Sequence, residues 1–244
     1  MNTPSFRHMG GKARLRQWLV DHFPPAGKSY VEPFVGKGNV FFLASQRLRF
    51  DTWELSDVNV DFLTCLQYAN LDALPETVTR AEFADWRARA VGVDAIAVLL
   101  EPRITFAGKG YRYGYSGSSG THVGYTRACY LPVCQRAKEL CRKAIVIQRP
   151  WGQALLYGRD PEDFVYCDPP YLGTKASFEN IDHRALIAGL NSLPCRWAIS
   201  GYLSDEYEAF LDYKLRYEIE RNSEIKSSNA RKRTAVTECL WTNY

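Results

Sequence analysis

Asp168-Pro169-Pro170-Tyr171 is the set of residues whose types and spacing point most directly to chemistry. It follows residues 163–167 (Asp-Phe-Val-Tyr-Cys), a short apolar run rich in strand formers. An Asp at a strand end offers a carboxylate to one N–H of a planar exocyclic amine. A Tyr three residues on offers a ring on which the heterocycle can stack. The prolines stiffen the turn and leave a backbone carbonyl as a second acceptor, since neither can continue a helix or donate to a ladder. Such a turn suits group transfer onto an exocyclic amine, although a plain strand-ending bend with a solvated Asp and a surface Tyr would carry the same four letters.

A second constellation lies at 32–39, where Glu32-Pro33-Phe34-Val35-Gly36-Lys37-Gly38-Asn39 joins a strand to a helix. Two glycines in that position let the backbone approach a ligand at the helix N-terminus. Asp57 stands just after the next strand, followed by Val58. An acid there can accept both hydroxyls of a ribose, or simply cap the following helix. Near the N-terminus, Arg7-His8-Met9-Gly10-Gly11-Lys12 could cradle an anionic group.

These motifs fall in a definite order: Gly-Gly-Lys, then Glu-Pro-Phe-x-Gly-x-Gly, a strand-end Asp, a long variable insert and Asp-Pro-Pro-Tyr. The order resembles the DNA N6-adenine methyltransferases of the α (D12) class, which include the GATC adenine methylases. The resemblance covers about residues 5–70 and 145–244. It implies that His8, Gly11, Lys12, Glu32, Phe34, Gly36, Gly38, Asp57, Val58 and Asp168 bind S-adenosylmethionine. Asp168, Pro169, Pro170 and Tyr171 would serve a flipped adenine in double-stranded DNA. Glu238 and the final Leu240-Trp241-x-Asn243-Tyr244 resemble the family's closing strand. Two departures stand out. His8 occupies a position that is often Trp or Tyr in relatives, and the insert matches the GATC enzymes only loosely.

The expected reaction is methyl transfer to the adenine N6 amine. Cytosine N4 presents the same pair of donors and is the alternative within the fold; a non-catalytic DNA-binding relative is the alternative outside it. Pro194-Cys195 lies between a helix and a strand and is read as structural, not as a cytosine-C5 nucleophile.

Charge distribution supports a polyanion partner. The 244-residue chain has a formal net charge of +4, but residues 103–150 hold nine bases against one acid, while the remainder holds 22 bases against 26 acids. A basic region set into an acidic chain suits phosphate contacts, as would a merely solvated basic face. Within the insert, Arg112, Tyr113, Thr121, His122, Tyr125 and Arg127 are the candidates for base readout or for filling the vacated stack, and Lys232 lies in a second basic loop. Seven cysteines without a C-x-x-C pair argue for a reducing cytoplasm and against a metal site. No stretch approaches the ~20 apolar residues of a membrane span, and no signal peptide is evident. A monomeric, cytoplasmic protein is expected, bacterial or phage-encoded in a bacterial host.

The elements that must position these residues are read from periodicity. Helices are expected over 12–23, 39–49 and 59–68, with strands at 30–34 and 52–55, an order that implies parallel strands with right-handed crossovers. Residues 75–100 read as helical, 107–125 as a long loop, and 132–143 as a helix opening on Pro132. Strands at 145–147, 163–167 and 196–200 then alternate with helices at 182–193 and 204–211. The last two strands, 214–220 and 235–243, should pair antiparallel at a sheet edge. The expected fold is α/β, a Rossmann-like S-adenosylmethionine-dependent methyltransferase sheet, mostly parallel with an antiparallel edge strand. Residues 1–71 and 145–244 would form the catalytic domain, and 72–144 an inserted, mainly helical target-recognition domain.

Overall fold

A computed structural model describes residues 3–8, 11–89, 94–105, 108, 110–111, 125–156, 159–172, 181–222 and 235–244. Its strands are β1 (Ala26–Glu32), β2 (Arg49–Asp57), β3 (Ile145–Gln148), β4 (Phe164–Cys167), β5 (Arg196–Tyr202), β6 (Leu215–Asn222) and β7 (Ala235–Thr242). They form one seven-stranded sheet in the order β3-β2-β1-β4-β5-β7-β6. The first five are mutually parallel, and β7 runs antiparallel to both β5 and β6.

The late hairpin therefore forms as its sequence suggests, but the antiparallel strand is not at the edge. β7 contributes Cys239, Leu240 and Trp241, all fully buried, and takes the inner place. β6 alternates Arg216, Glu218 and Glu220 with apolar residues. It is the strand that tolerates an open edge, where charged side chains blunt further pairing.

Both faces of the sheet are covered, so the central strands are apolar on both sides. On one face Tyr30, Phe164, Tyr166 and Ala198 join a large core with α1 (Arg16–Asp21), α2 (Asn39–Arg47) and α3 (Asp61–Tyr68). On the other, Val31, Val165, Cys167, Trp197 and Ile199 pack with residues of α7 (Trp151–Leu156), α8 (His183–Asn191) and α9 (Asp205–Phe210). Asp182 and Ser204 cap α8 and α9, accepting from Ala185 N and Tyr207 N.

The segment read as helical over 75–100 is two helices, α4 (Arg80–Ala88) and α5 (Ala95–Ile104). A Thr79–Glu82 capping box opens α4, and Asp94 caps α5 through Ile96 N and Ala97 N. α6 (Arg127–Cys141) starts five residues before Pro132, because Thr126 supplies the cap; Pro132 lies inside the helix. The short helix α7 had no clear periodic signal. α5 and α6 pack against α3, and Phe83, Leu99, Leu100, Tyr130 and Leu140 belong to the same core as Phe6 and Tyr30. Five of the seven cysteines are buried as small apolar groups.

Trp197, the second residue of β5, is 1% exposed. Trp197→Ala is expected to cost about 3–5 kcal/mol, measured as a lowered denaturant midpoint at unchanged slope.

Candidate active site

The parallel order places the sequence motifs together at the carboxyl ends of the strands. β1 connects through α2 to β2 on one side, while β4 pairs on its other side. That reversal opens a crevice between the loops after β1 and β4, where open α/β sheets hold ligands.

On the β1–β2 side, Gly36 and Gly38 adopt left-handed φ values of +51° and +75°, which side chains disfavour. An added Cβ at Gly38 would also stand 3.2 Å from Leu63 and Phe42. The loop is held against β2 by Val35 N donating to Ser56 O at 3.1 Å, and Gly36 N donates to Asp57 Oδ2 at 2.9 Å. Asn59 N donates to Asp57 Oδ1 at 3.3 Å. Burial raises the Asp57 carboxyl above its ordinary value, and these backbone N–H groups oppose the rise. Phe34 stacks with Trp151 at 6.4 Å, and Val58 is exposed beside Asp57. Lys37 pairs with Glu101 of α5 at 2.7 Å and lies over the Phe62 ring.

On the β4 side, Asp168 Oδ1 accepts from Lys12 Nζ at 2.7 Å and from Ser200 Oγ at 3.0 Å. Ser200 Oγ lies 3.0 Å from the Tyr166 hydroxyl. Tyr171 donates to Glu238 Oε2 at 3.3 Å, and Arg221 pairs with the other oxygen of Glu238 at 3.0 Å. The Tyr171 ring meets Tyr202 edge to face at 4.6 Å and carries the Lys12 ammonium 4.4 Å from its centroid. Burial raises the Asp168 carboxyl, opposed by Lys12 and Ser200. Behind the Asp-Pro-Pro-Tyr turn, the buried His183 ring lies near the Pro170 backbone and 2.8 Å from the Tyr207 hydroxyl through Nδ1. Burial lowers the His183 imidazole, which keeps it neutral with one N–H to give.

Between the two sides lies Glu32, 2% exposed, accepting from Tyr30 at 2.8 Å. Burial first, then the nearby Asp168 and Asp57, raise its carboxyl well above the usual range. His8 stands at the cleft mouth beside Gly36. Crowding by the surrounding protein, then the Lys37 and Lys12 ammoniums, bring its imidazole down to about 4.

The structure thus brings together His8, Gly11, Lys12, Glu32, Phe34, Gly36, Gly38, Asp57, Val58, Asp168 and Tyr171. It moves Lys12 from the glycine side to the Asp168–Tyr171 side. Of the candidate readout residues, Tyr125 is 2% exposed and donates to Pro75 O at 2.7 Å, so it is a core residue. Arg127 ties the start of α6 to Glu76 at 3.4 Å and Asp72 at 3.6 Å. Arg112, Tyr113, Thr121, His122 and Lys232 lie outside the described residues. Sequence reasoning missed Ser200, Tyr202, Trp151, Glu101 and His183. For Ser200 there was a signal: a hydroxyl ending the apolar run Trp197-Ala198-Ile199, next to the strand that carries Asp168. Among the described residues there is no group of His, Cys, Asp or Glu suited to a metal ion, and no helix long and apolar enough to cross a membrane.

A mostly parallel sheet ending β5-β7-β6, with the loops after β1, β2 and β4 along one edge, is a Rossmann-like α/β fold. Residues 8–89 match the family model of the D12 class N6 adenine-specific DNA methyltransferases. A DNA adenine methylase of Vibrio cholerae (O395) is 25% identical over 240 residues, covering 90% of this chain and 78% of the relative. A DNA adenine methylase of Haemophilus influenzae is 24% identical over 189 residues, covering 70% of this chain and 64% of the relative. Among solved structures, an rRNA methylase from Streptococcus thermophilus aligns with a TM-score of 0.40 at 13% identity, covering 95% of this chain and 96% of that one. The resemblance carried by the motifs is borne out: the chain's sequence relationships are with adenine-specific DNA methyltransferases.

A group whose pKa is raised on folding stabilises the fold below its unfolded value and loses that contribution as pH rises through the folded value. Glu32 is such a group. Glu32→Gln is therefore expected to raise the melting temperature of the free protein more at about pH 8 than at about pH 5. A larger gain at the lower pH would contradict the assignment.

Proposed function

We propose that this protein transfers a methyl group from S-adenosylmethionine to the N6 amine of an adenine flipped out of double-stranded DNA. The observation that carries the reading is Asp168. It is a half-buried carboxylate at a strand end, with one oxygen held by Lys12 and Ser200 and the Tyr171 ring beside it.

The crevice suits the cofactor in its donor set. Phe34 and Trp151 offer stacked rings, Val58 an exposed apolar side chain, Asp57 a carboxylate for vicinal hydroxyls, and the Gly36–Gly38 turn a close backbone approach. S-adenosylmethionine, when bound, supplies a methyl group activated by a sulfonium. The remaining chemistry belongs to the chain. The adenine N6 lone pair is delocalised into the ring, so the amine is a poor nucleophile. Hydrogen bonds from its two hydrogens to the Asp168 carboxylate and the Pro169 carbonyl favour positive charge building on nitrogen. Asp168 is also the base placed to take the proton that nitrogen releases once the N–C bond has formed. Positioning dominates, since direct displacement needs no covalent intermediate.

Flipping the base costs about a few kcal/mol, offset in part by stacking on Tyr171. Residues 72–144 form the target-recognition region in this reading, with Arg112, Tyr113, Thr121 and His122 as readers. Lys232 and the exposed Arg142 and Lys143 at the end of α6 supply phosphate contacts.

The protein is to be incubated with methyl-labelled S-adenosylmethionine and mixed-sequence duplex DNA, and the modified nucleoside identified. N6-methyladenine is expected; N4-methylcytosine, or cofactor binding with no transfer, would refute the reading. Asp168→Ala is expected to lower transfer by at least about a hundredfold while leaving DNA affinity largely intact.

A further inference from the structure

The Gly-Gly-Lys motif belongs by sequence to the cofactor side, yet its lysine ends elsewhere. Two reciprocal hydrogen bonds tie Phe6 to Asn39, the first residue of α2: Phe6 N to Oδ1 at 2.9 Å and Nδ2 to Phe6 O at 2.8 Å. Lys12 O then accepts from Leu15 N at 2.9 Å and Arg16 N at 2.7 Å as α1 begins. This anchored segment delivers a Lys12 side chain only 6% exposed, whose ammonium meets Asp168 Oδ1 at 2.7 Å.

The surroundings of Asp168 are acidic. Glu32 faces it from β1 and Glu238 from β7. The phenols of Tyr30, Tyr166, Tyr171 and Tyr207 and the Cys167 thiol also face it; burial pushes all of them up, so they are neutral and bring no compensating charge. Among the described residues, Lys12 is the cation that faces Asp168, and it also lies near Glu238. An Asp in such a pocket is easily protonated, and a protonated carboxyl turns one acceptor into a donor.

We infer that Lys12 is a positioning residue for the methyl-accepting amine: its ammonium, fixed between Asp168 and the Tyr171 ring, keeps the Asp168 carboxylate ionised and orients it so that its second oxygen accepts from the amine. The inference rests on the function proposed above, and it assigns the lysine of the N-terminal motif to the target base instead of the cofactor. Lys12 and Ser200 both engage Oδ1; in this proposal Oδ2 is the oxygen that accepts from the amine.

The test is the pH dependence of single-turnover methyl transfer at saturating DNA in the wild-type protein, Lys12→Met and Lys12→Arg. Transfer falls at low pH as Asp168 takes a proton. Without Lys12 that acid limb moves up, so Lys12→Met should lose about tenfold per unit of displacement at pH values below the new limb and regain rate at high pH. Lys12→Arg should keep the wild-type limb. S-adenosylmethionine affinity without DNA, measured by calorimetry, should stay within about threefold, a change of well under one order of magnitude. An unmoved limb in Lys12→Met overturns the inference. So does loss of cofactor binding with the limb in place, which would make Lys12 a cofactor ligand.

A second measurement needs no turnover and no stable Lys12→Met protein. In ¹⁵N-lysine-labelled wild type, a slowly exchanging side-chain ammonium resonance is expected at neutral pH, absent from Lys12→Arg and from Asp168→Asn. Its absence from the wild type refutes the ion pair. Its presence in a protein that methylates no adenine would refute the function and leave the pair standing.

Discussion

β1 and β4 lie side by side, Tyr30 opposite Phe164 and Val31 opposite Val165, although more than a hundred residues of chain separate them. Every other feature of the site follows from that parallel pairing. Parallel neighbours need crossover connections, and right-handed crossovers leave all carboxyl ends on one edge of the sheet. Glu32, Asp57 and Asp168, remote in sequence, therefore share one crevice. The pairing holds because both faces of β1 and β4 are apolar. Tyr30, Phe164 and Tyr166 anchor one core, and Val31, Val165 and Cys167 the other.

Gathering carboxylates in a buried crevice is electrostatically costly, and each is handled differently. Glu32 accepts from the Tyr30 hydroxyl, and burial raises its carboxyl well above the usual range. Asp57 accepts backbone N–H groups from Gly36 and Asn59. Asp168 is paired with Lys12 and bonded by Ser200, and Glu238 is shared between Tyr171 and Arg221. Glu54 lies beneath the crevice and is gripped by Arg149 and Arg159. The Tyr171 ring is consequently fixed at three points: its hydroxyl on Glu238, an edge-to-face contact with Tyr202, and Lys12 above it. In the proposed reaction, a ring so restrained would have little entropy left to lose when a base stacks on it.

The helices between β2 and β3 are continuous with this arrangement. α5 and α6 rest on α3 and extend the same core. Glu101 of α5 reaches Lys37 within the glycine turn, so a residue from the segment proposed for DNA recognition touches the loop proposed for the cofactor.

The strand and helix order, the turn chemistry and most of the catalytic candidates were legible in the sequence because they depend on local periodicity and short motifs. Apolar alternation marks β1, β4 and β5, Gly36 and Gly38 mark a turn requiring positive φ, and Asp168-Pro169-Pro170-Tyr171 marks a rigid strand end. Whatever depends on contacts between distant segments was hidden. β7 takes the place inside β6 because its buried face is the more apolar, which only comparison of two packed strands reveals. Tyr125 reads as an exposed aromatic in a polar loop, yet its hydroxyl finds Pro75 and its ring the core. Lys12 carries the same letters as an anion-binding lysine. The Phe6–Asn39 clasp and the start of α1 decide that it meets Asp168 instead, because a side chain's partner is set by where its backbone is anchored in three dimensions.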